Sequence, residues 1–305
     1  MSILVVGSVA IDTVETPFGV AESVLGGSAV YFALAASLFC PVRLVSVVGD
    51  DFPESYCEVL RRRSIGLEGL TVTRGKTFRW DGAYDGQMDA ARTRRVQLNV
   101  FGDFHPDVPE CCKDSRFVFL ANCSPRTQFH VRSQLPAAGF VLADTMNLWI
   151  ETERGALLEL LGSVDGLVLN DAEARQLSGC SNLMKAAAWI RERGPAYCII
   201  KKAEHGAMLM GPEGVFALPG YPTEDVRDPT GAGDSFAGGL LGYAATCEEV
   251  TDEALRIALA YGTIVASFTI EDFGTARLTQ IGRADVERRF DEFVRRTHLS
   301  GRLRP

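Results

Sequence analysis

The sequence predicts an α/β protein: a doubly wound, mostly parallel sheet carrying a small β-strand lid. Three observations predict it. Short, continuous runs of apolar and β-branched residues recur along the first two-thirds of the chain, helix-length stretches alternate with several of them, and one segment breaks the alternation. Strands buried on both faces read as unbroken apolar runs, and strands alternating with helices imply parallel βαβ units.

Ile3–Val6 is the first such run and stops at Gly7. Comparable runs follow at Arg43–Val48, Phe117–Ala121, Phe140–Ala143, Gly166–Leu169 and Tyr197–Lys201. Helix-like stretches fall between them at Ser28–Phe39, Pro53–Ser64, Glu151–Leu161 and Leu183–Arg193. The last hundred residues turn helical, at Gly233–Ala245, Thr251–Phe268 and Arg283–Arg296. No linker, repeat or low-complexity run divides the chain, so residues 1–305 are expected to form one domain. The exception is Thr71–Asp103, where alternating ends (Thr77–Trp80 and Arg95–Phe101) flank the polar tract Asp81–Ala91. This insertion, with strand residues near positions 13–25, is expected to project as a lid, since such elements cover sites and exclude water. A decorative hairpin is the alternative.

Composition narrows the function. The chain has 305 residues, 39 acidic against 31 basic, a net charge of −8 and 47% hydrophobic content. So apolar a chain is not disordered. Its acidic balance argues against nucleic acid or a membrane surface as partner, because phosphate-rich partners need a basic face. Ser23–Val42 is uncharged, but its apolar part, Ala29–Phe39, is only long enough for a buried helix. The eight cysteines form no CxxC pair and the four histidines no HExxH. A reduced, cytoplasmic protein with no secretory leader and no structural zinc is expected.

The most informative string is Asp228-Pro-Thr-Gly-Ala-Gly-Asp-Ser-Phe-Ala-Gly-Gly239. Pro229 interrupts what precedes it, Gly231-Ala232-Gly233 bares the backbone, and Asp234 opens a helix. The first N–H groups of a helix lack intrahelical partners and hold anions well. A carboxylate at that mouth is placed to take a proton from an attacking hydroxyl. Taken alone, Gly-x-Gly-Asp reads more simply as an Asp N-cap after a glycine turn. Two other strings fail on their own terms. Gly69 to Thr77 has five residues between its glycines where a P-loop has four, and no GxGxxG follows the first strand.

The whole string resembles the C-terminal signature of the PfkB (ribokinase-like) family of carbohydrate and nucleoside kinases, D-T-x-G-A-G-D-x-F, with Pro229 at the usual Thr position. The resemblance implies a ribokinase-like fold and ATP-dependent phosphoryl transfer to a primary hydroxyl of a sugar or sugar-like molecule. A nucleoside kinase and a non-catalytic ligand-binding relative are the alternatives. It further implies Asp234 as general base and Gly231, Ala232 and Gly233 as an anion hole, with Thr230 beside the nucleotide.

Other stretches follow in the order the family uses. Asp12 with Gly26, Gly27 and Ser28 resembles the segment that holds substrate hydroxyls. Leu169-Asn170-Asp-Ala-Glu173 matches N-x-x-E, which implies that Asn170 and Glu173 organise Mg²⁺ through water; read alone, it is a capping box. Ile200 to Gly206 resembles the nucleotide loop T-x-G-x-x-G, with Lys201 replacing Thr and Ala203 the first Gly; Lys201 and Gly206 are its nucleotide-binding candidates. Phe273 and Gly274 fall where the family closes the adenine pocket, and Asp228 where it holds a monovalent cation. Tyr31 stands where sugar-specific members carry Asn, so a ribose-type hydroxyl contact is lost or replaced. Phe78, Trp80 and Tyr84 of the lid would stack on a sugar or base, or pack the lid's own core. Lid strands of this family can pair between subunits, which implies a homodimer.

Overall fold

Strands that are apolar at every position need cover on both faces, and the computed structural model, which describes residues 2–88 and 91–297, supplies it. The strands are β1 (Ile3–Val6), β2 (Ala10–Thr16), β3 (Gly19–Gly26), β4 (Val42–Gly49), β5 (Ile65–Thr73), β6 (Phe78–Ala83), β7 (Arg92–Gln97), β8 (Phe117–Leu120), β9 (Phe140–Asp144), β10 (Gly166–Asn170), β11 (Tyr197–Lys201), β12 (Ala207–Gly211) and β13 (Gly214–Leu218). Nine form one sheet in the order β13-β12-β11-β10-β9-β8-β1-β4-β5. It is parallel from β5 to β11, and β12 and β13 add an antiparallel edge.

Alternate residues of one strand feed opposite layers, as the two-residue period requires. Ile3 and Val5 join a core with Phe117 and Phe119, while Leu4 and Val6 join another with Val118 and Leu120. The first core is roofed by helices Ser28–Ala36, Ala232–Ala244 and Asp252–Thr269, the second by Arg154–Leu161, Asp171–Ser178 and Leu183–Arg191. Helix Ser28–Ala36 is apolar on every side and wholly buried. Gly238 lets helix Ala232–Ala244 cross it closely: a Cβ there would meet the Phe32 carbonyl at 2.4 Å.

The second sheet is four-stranded, ordered β3-β2-β6-β7. Its two hairpins join through the parallel β2–β6 pair, and β2 leaves the large sheet only a few residues after β1. The small sheet therefore overhangs the C-terminal edge of the large one.

The expected lid limits shift at both ends. Thr71–Thr73 pair with Val47–Gly49 in the large sheet, and Asn99–Asp103 is a 3₁₀ helix whose Phe101 packs on Val47 and Cys123. The stretch Glu151–Leu161 is two helices, Asn147–Thr152 and Arg154–Leu161. Among the described residues no helix is long and apolar enough to cross a membrane.

Candidate active site

Parallel sheets present ligand-binding groups at the carboxyl ends of their strands. Here the adjacent strands β9, β10 and β11 end on Asp144, Asn170 and Lys201, and Asn170 is paired in register with Lys201. The Lys201 Nζ lies 3.4 Å from Asp144 Oδ2, a buried pair with side chains 16% and 5% exposed. The other Asp144 oxygen accepts the Thr145 N–H at 2.8 Å. Burial works against the charge on Lys201, but Asp144, Glu173 and Asp234 together hold it above the usual lysine range.

Asn170 and Glu173 form a reciprocal capping box on helix Asp171–Ser178. The Glu173 N–H donates to Asn170 Oδ1 at 2.8 Å and the Asn170 N–H to Glu173 Oε2 at 2.7 Å. Capping fixes both side chains without using all their oxygen atoms. Burial pushes the Glu173 carboxyl up to about 7, with Lys201 pulling the other way and Asp144 adding to the rise. Three carboxyls thus surround one ammonium. No group of three or more His, Cys, Asp or Glu among the described residues would hold a metal by itself. Hard oxygens in excess, too dispersed to cage an ion alone, fit Mg²⁺ held largely by water and phosphates.

The signature loop faces this cluster. Gly231 sits in the left-handed region at φ 73° as N-cap of helix Ala232–Ala244, and no side chain caps that helix. The conformation requires glycine twice over, because a Cβ would also lie 2.3 Å from the Tyr31 ring. The Ala232 N–H is spent on the Pro229 carbonyl at 3.2 Å, which corrects its expected place in the anion hole. The amides of Gly231 and Gly233 have no partner among the described residues. Lys201 Nζ comes within 3.1 Å of where a Gly233 Cβ would stand, so the open amides and the ammonium border one space. Asp234 lies at the same mouth. Burial pushes its carboxyl up to about 7, Asp144 adds to the rise and Lys201 opposes it.

Asp12, on β2, is 4% exposed, and its Oδ1 has no partner among the described residues. Burial pushes it up to about 7 against the Gly27 amide, with smaller contributions from Asp228 and Asp234. The diglycine makes room for it: a Cβ on Gly26 would stand 1.8 Å from Asp12 Oδ2, and one on Gly27 would stand 2.5 Å from the Ser8 carbonyl. Ser28 is committed elsewhere. Its hydroxyl lies 3.0 Å from that of Ser8 and donates to the Asn122 carbonyl at 3.4 Å, so it locks a helix start rather than facing a ligand.

Two tyrosines lie close enough to Asp12 to feel its charge. The Tyr31 hydroxyl is buried without a partner among the described residues, and the Tyr84 hydroxyl accepts from Thr230 Oγ1 at 3.3 Å. Both feel the charges of Asp12, Asp228 and Asp234. Of the three lid aromatics, only Tyr84 reaches the site. Phe78 stacks on Phe101, and the Trp80 indole donates to Thr93 Oγ1 at 3.2 Å.

Asp228 is a staple between loops. One carboxylate oxygen accepts the Thr230 N–H at 2.9 Å and the other the Gly274 N–H at 2.9 Å. Both oxygens of the expected monovalent-cation residue are thus already engaged. Beyond Lys201 and Gly233 opens a cavity of about 650 Å³, lined also by Gly206, Val226, Pro229 and Ile270. Phe273 and Gly274, the residues expected at the adenine, do not line this cavity. Phe273 instead packs beneath the β2–β3 turn, 3.8 Å from where a Gly19 Cβ would be.

Sequence reasoning missed Asp144, because the run Phe140–Ala143 was ended one residue early. Its signal was its place: a carboxylate closing an apolar run marks the ligand edge of a parallel sheet.

The buried carboxyls make a stability prediction. Asp12 keeps its proton to about pH 7 in the fold, whereas an unfolded aspartate releases it near 4. Between those values the folded chain binds more protons, so its stability falls as pH rises and levels off above about 7. The melting temperature of the ligand-free protein relative to Asp12→Asn should fall across that window. A difference that stays flat or rises contradicts the burial of this group.

Comparison with known proteins agrees with this architecture. Residues 2–281 match the pfkB family of carbohydrate kinases. The chain is 30% identical over 270 residues to the cytidine kinase of Thermococcus kodakarensis, covering 85% of this chain and 94% of that one. It is 27% identical over 264 residues to a nucleoside kinase of Methanothermobacter thermautotrophicus, covering 82% and 79%. The fold is that of the Burkholderia thailandensis nucleoside kinase solved with inosine, at a TM-score of 0.78 and 20% identity over 95% and 96% of the chains. A match running through nearly all the strands and helices that position the loop places this chain in the pfkB family of carbohydrate kinases.

Proposed function

We propose that this sugar or nucleoside kinase transfers the γ-phosphoryl group of ATP to the primary hydroxyl of a nucleoside. The observation that carries the reading is the loop of Gly231 to Asp234: two open amides at a helix N-terminus, an ammonium against them and a carboxyl at their mouth. The cytidine kinase relative favours a nucleoside over a simple sugar, and two aromatic residues, Tyr31 and Tyr84, lie near Asp12.

In this reading Asp12 accepts hydrogen bonds from the sugar hydroxyls and turns the primary hydroxyl toward Asp234. Asp234 takes the hydroxyl proton as the oxygen–phosphorus bond forms and the bond to the β-phosphate breaks, leaving ADP. The Gly231 and Gly233 amides and Lys201 face the charge on the transferring group. Phosphoryl transfer is mainly positioning and electrostatics, so this short set of groups suffices. Asn170 and Glu173 would hold Mg²⁺ through water, and the ion would supply charge that neutralises the phosphates. The small sheet excludes water by closing over the acceptor. Its edges, β3 and β7, each pair on one side only, which leaves a seam for a homodimer. Eight free thiols suit a cytoplasmic setting.

Losing a hydrogen bond to a charged group costs about 1.5–3 kcal/mol, tenfold or more in binding. Asp12→Ala should therefore raise the acceptor KM about tenfold or more and change the ATP KM far less, as read by ADP release against each substrate. A collapse of ATP affinity with intact acceptor affinity would invert the assignment.

A further inference from the structure

Large aromatic side chains seldom stay in water without a reason, since burying one gains about 1.5–3 kcal/mol. Phe18 is 64% exposed, the most exposed large aromatic among the described residues. It sits at the tip of the β2–β3 hairpin, after Pro17, with its N–H donating to Thr16 Oγ1 at 3.1 Å. The Phe273 ring lies near the next residue of the turn, 3.8 Å from where a Gly19 Cβ would be. Phe18 and Pro17 line the 650 Å³ cavity, and so does Met88 from the segment after β6. Ala266 and Ile270 line the same cavity, as do Pro229, Ala232 and Gly233 of the signature loop. The lining is thus mostly apolar, with Lys201 and Gly233 among it, and its one aromatic from the small sheet, Phe18, has no stacking partner among the described residues.

We propose that Phe18 stacks on the nucleobase of the phosphoryl donor, so that the small sheet clamps the donor nucleotide as well as covering the acceptor. This rests on the reading that the cavity beyond Lys201 takes the nucleotide. Acceptor and donor then share one cover. Tyr84, two residues before Gly86, touches the signature loop through Thr230, while Gly86, Gln87 and Met88 border the donor slot. Stacking depends on a π face and not on base edges, so Phe18 adds affinity without choosing among purines.

Stacking of a base on an aromatic ring is worth about 1–3 kcal/mol, or about fivefold to a hundredfold in affinity. Phe18→Ala should raise the ATP KM by about tenfold, with the acceptor KM within about twofold, and Phe18→Trp should restore the ATP KM. Phe18 is exposed, so loss of folding is not expected to obscure the result. An unchanged ATP KM in Phe18→Ala overturns the proposal, and so does a rise confined to the acceptor KM. Ala266→Trp separates this from the reading beneath it, because a large side chain on this lining residue should fill the cavity and abolish binding of a fluorescent ATP analogue. If Ala266→Trp binds the analogue normally while still binding acceptor, the cavity is not the donor site and both ideas fail. If Ala266→Trp loses the analogue and Phe18→Ala does not weaken it, only the clamp is wrong.

Discussion

Asp234→Asn should lower turnover by about 10²–10⁴-fold, the usual contribution of a general base, while ATP and acceptor still bind. The amide keeps the size of the carboxylate, but its oxygen is too weak a base to take the proton. A purely structural role predicts the opposite pattern. An Asp at a helix start contributes about 0.3–1 kcal/mol through the helix dipole, so its loss would lower stability and leave chemistry nearly intact. Here burial and the Asp144 carboxylate oppose ionisation of Asp234, which means its charge is held against the fold's preference. The neutral variant should therefore melt no lower than the parent above pH 7, though it is nearly inactive. In the parent, kcat/KM should rise with pH through about 7 as the base ionises. Near-normal turnover in the variant would remove Asp234 from the chemistry.

The next largest effect is expected at Lys201. Lys201→Met removes the one ammonium beside the open amides of the signature loop and should lower kcat/KM by about 10²–10³-fold, as for loss of one preorganised donor to a developing charge. It also leaves Asp144 without its counter-ion at a site where that carboxyl is 5% exposed. Breaking a buried pair at one side costs about 3–5 kcal/mol, so the single variant should melt early. Adding Asp144→Asn removes the stranded charge. The double variant should recover most of the melting temperature and little of the activity. Recovery of both would mean that Lys201 serves only to neutralise Asp144, and that the phosphoryl group does not need it.

How far the sequence carried the fold depended on which surfaces its strands meet. β1, β8, β9, β10 and β11 are buried on both faces, so their apolar runs were legible at once. β5 and β13 lie at sheet edges, and the exposed positions of both, mostly polar in β5, hid them. The signature loop was legible because its glycines answer to backbone geometry, as Gly231 does at φ 73°. Side-chain duties within a motif were less so. Ser28 and Ala232 carry the right neighbours, yet one hydroxyl and one amide are consumed by Ser8 and Pro229. Phe273 and Phe18 show the same limit: sequence order does not tell which of two rings lines the cavity beyond Lys201, and it is Phe18. Asp144 needed the register of three neighbouring strands before its pairing with Lys201 could be seen.

In the proposed reaction an alcohol and the terminal phosphate of ATP meet at Asp234. The most direct measurement is ADP release from Mg-ATP with cytidine and other nucleosides, with simple sugars alongside and with the matching 5′-deoxynucleosides as controls. The predicted result is acceptor-dependent ADP release with a nucleoside, phosphate on its primary hydroxyl, and no release with the 5′-deoxy form. Binding of nucleoside and ATP without ADP release, or equal release when the primary hydroxyl is missing, would contradict it.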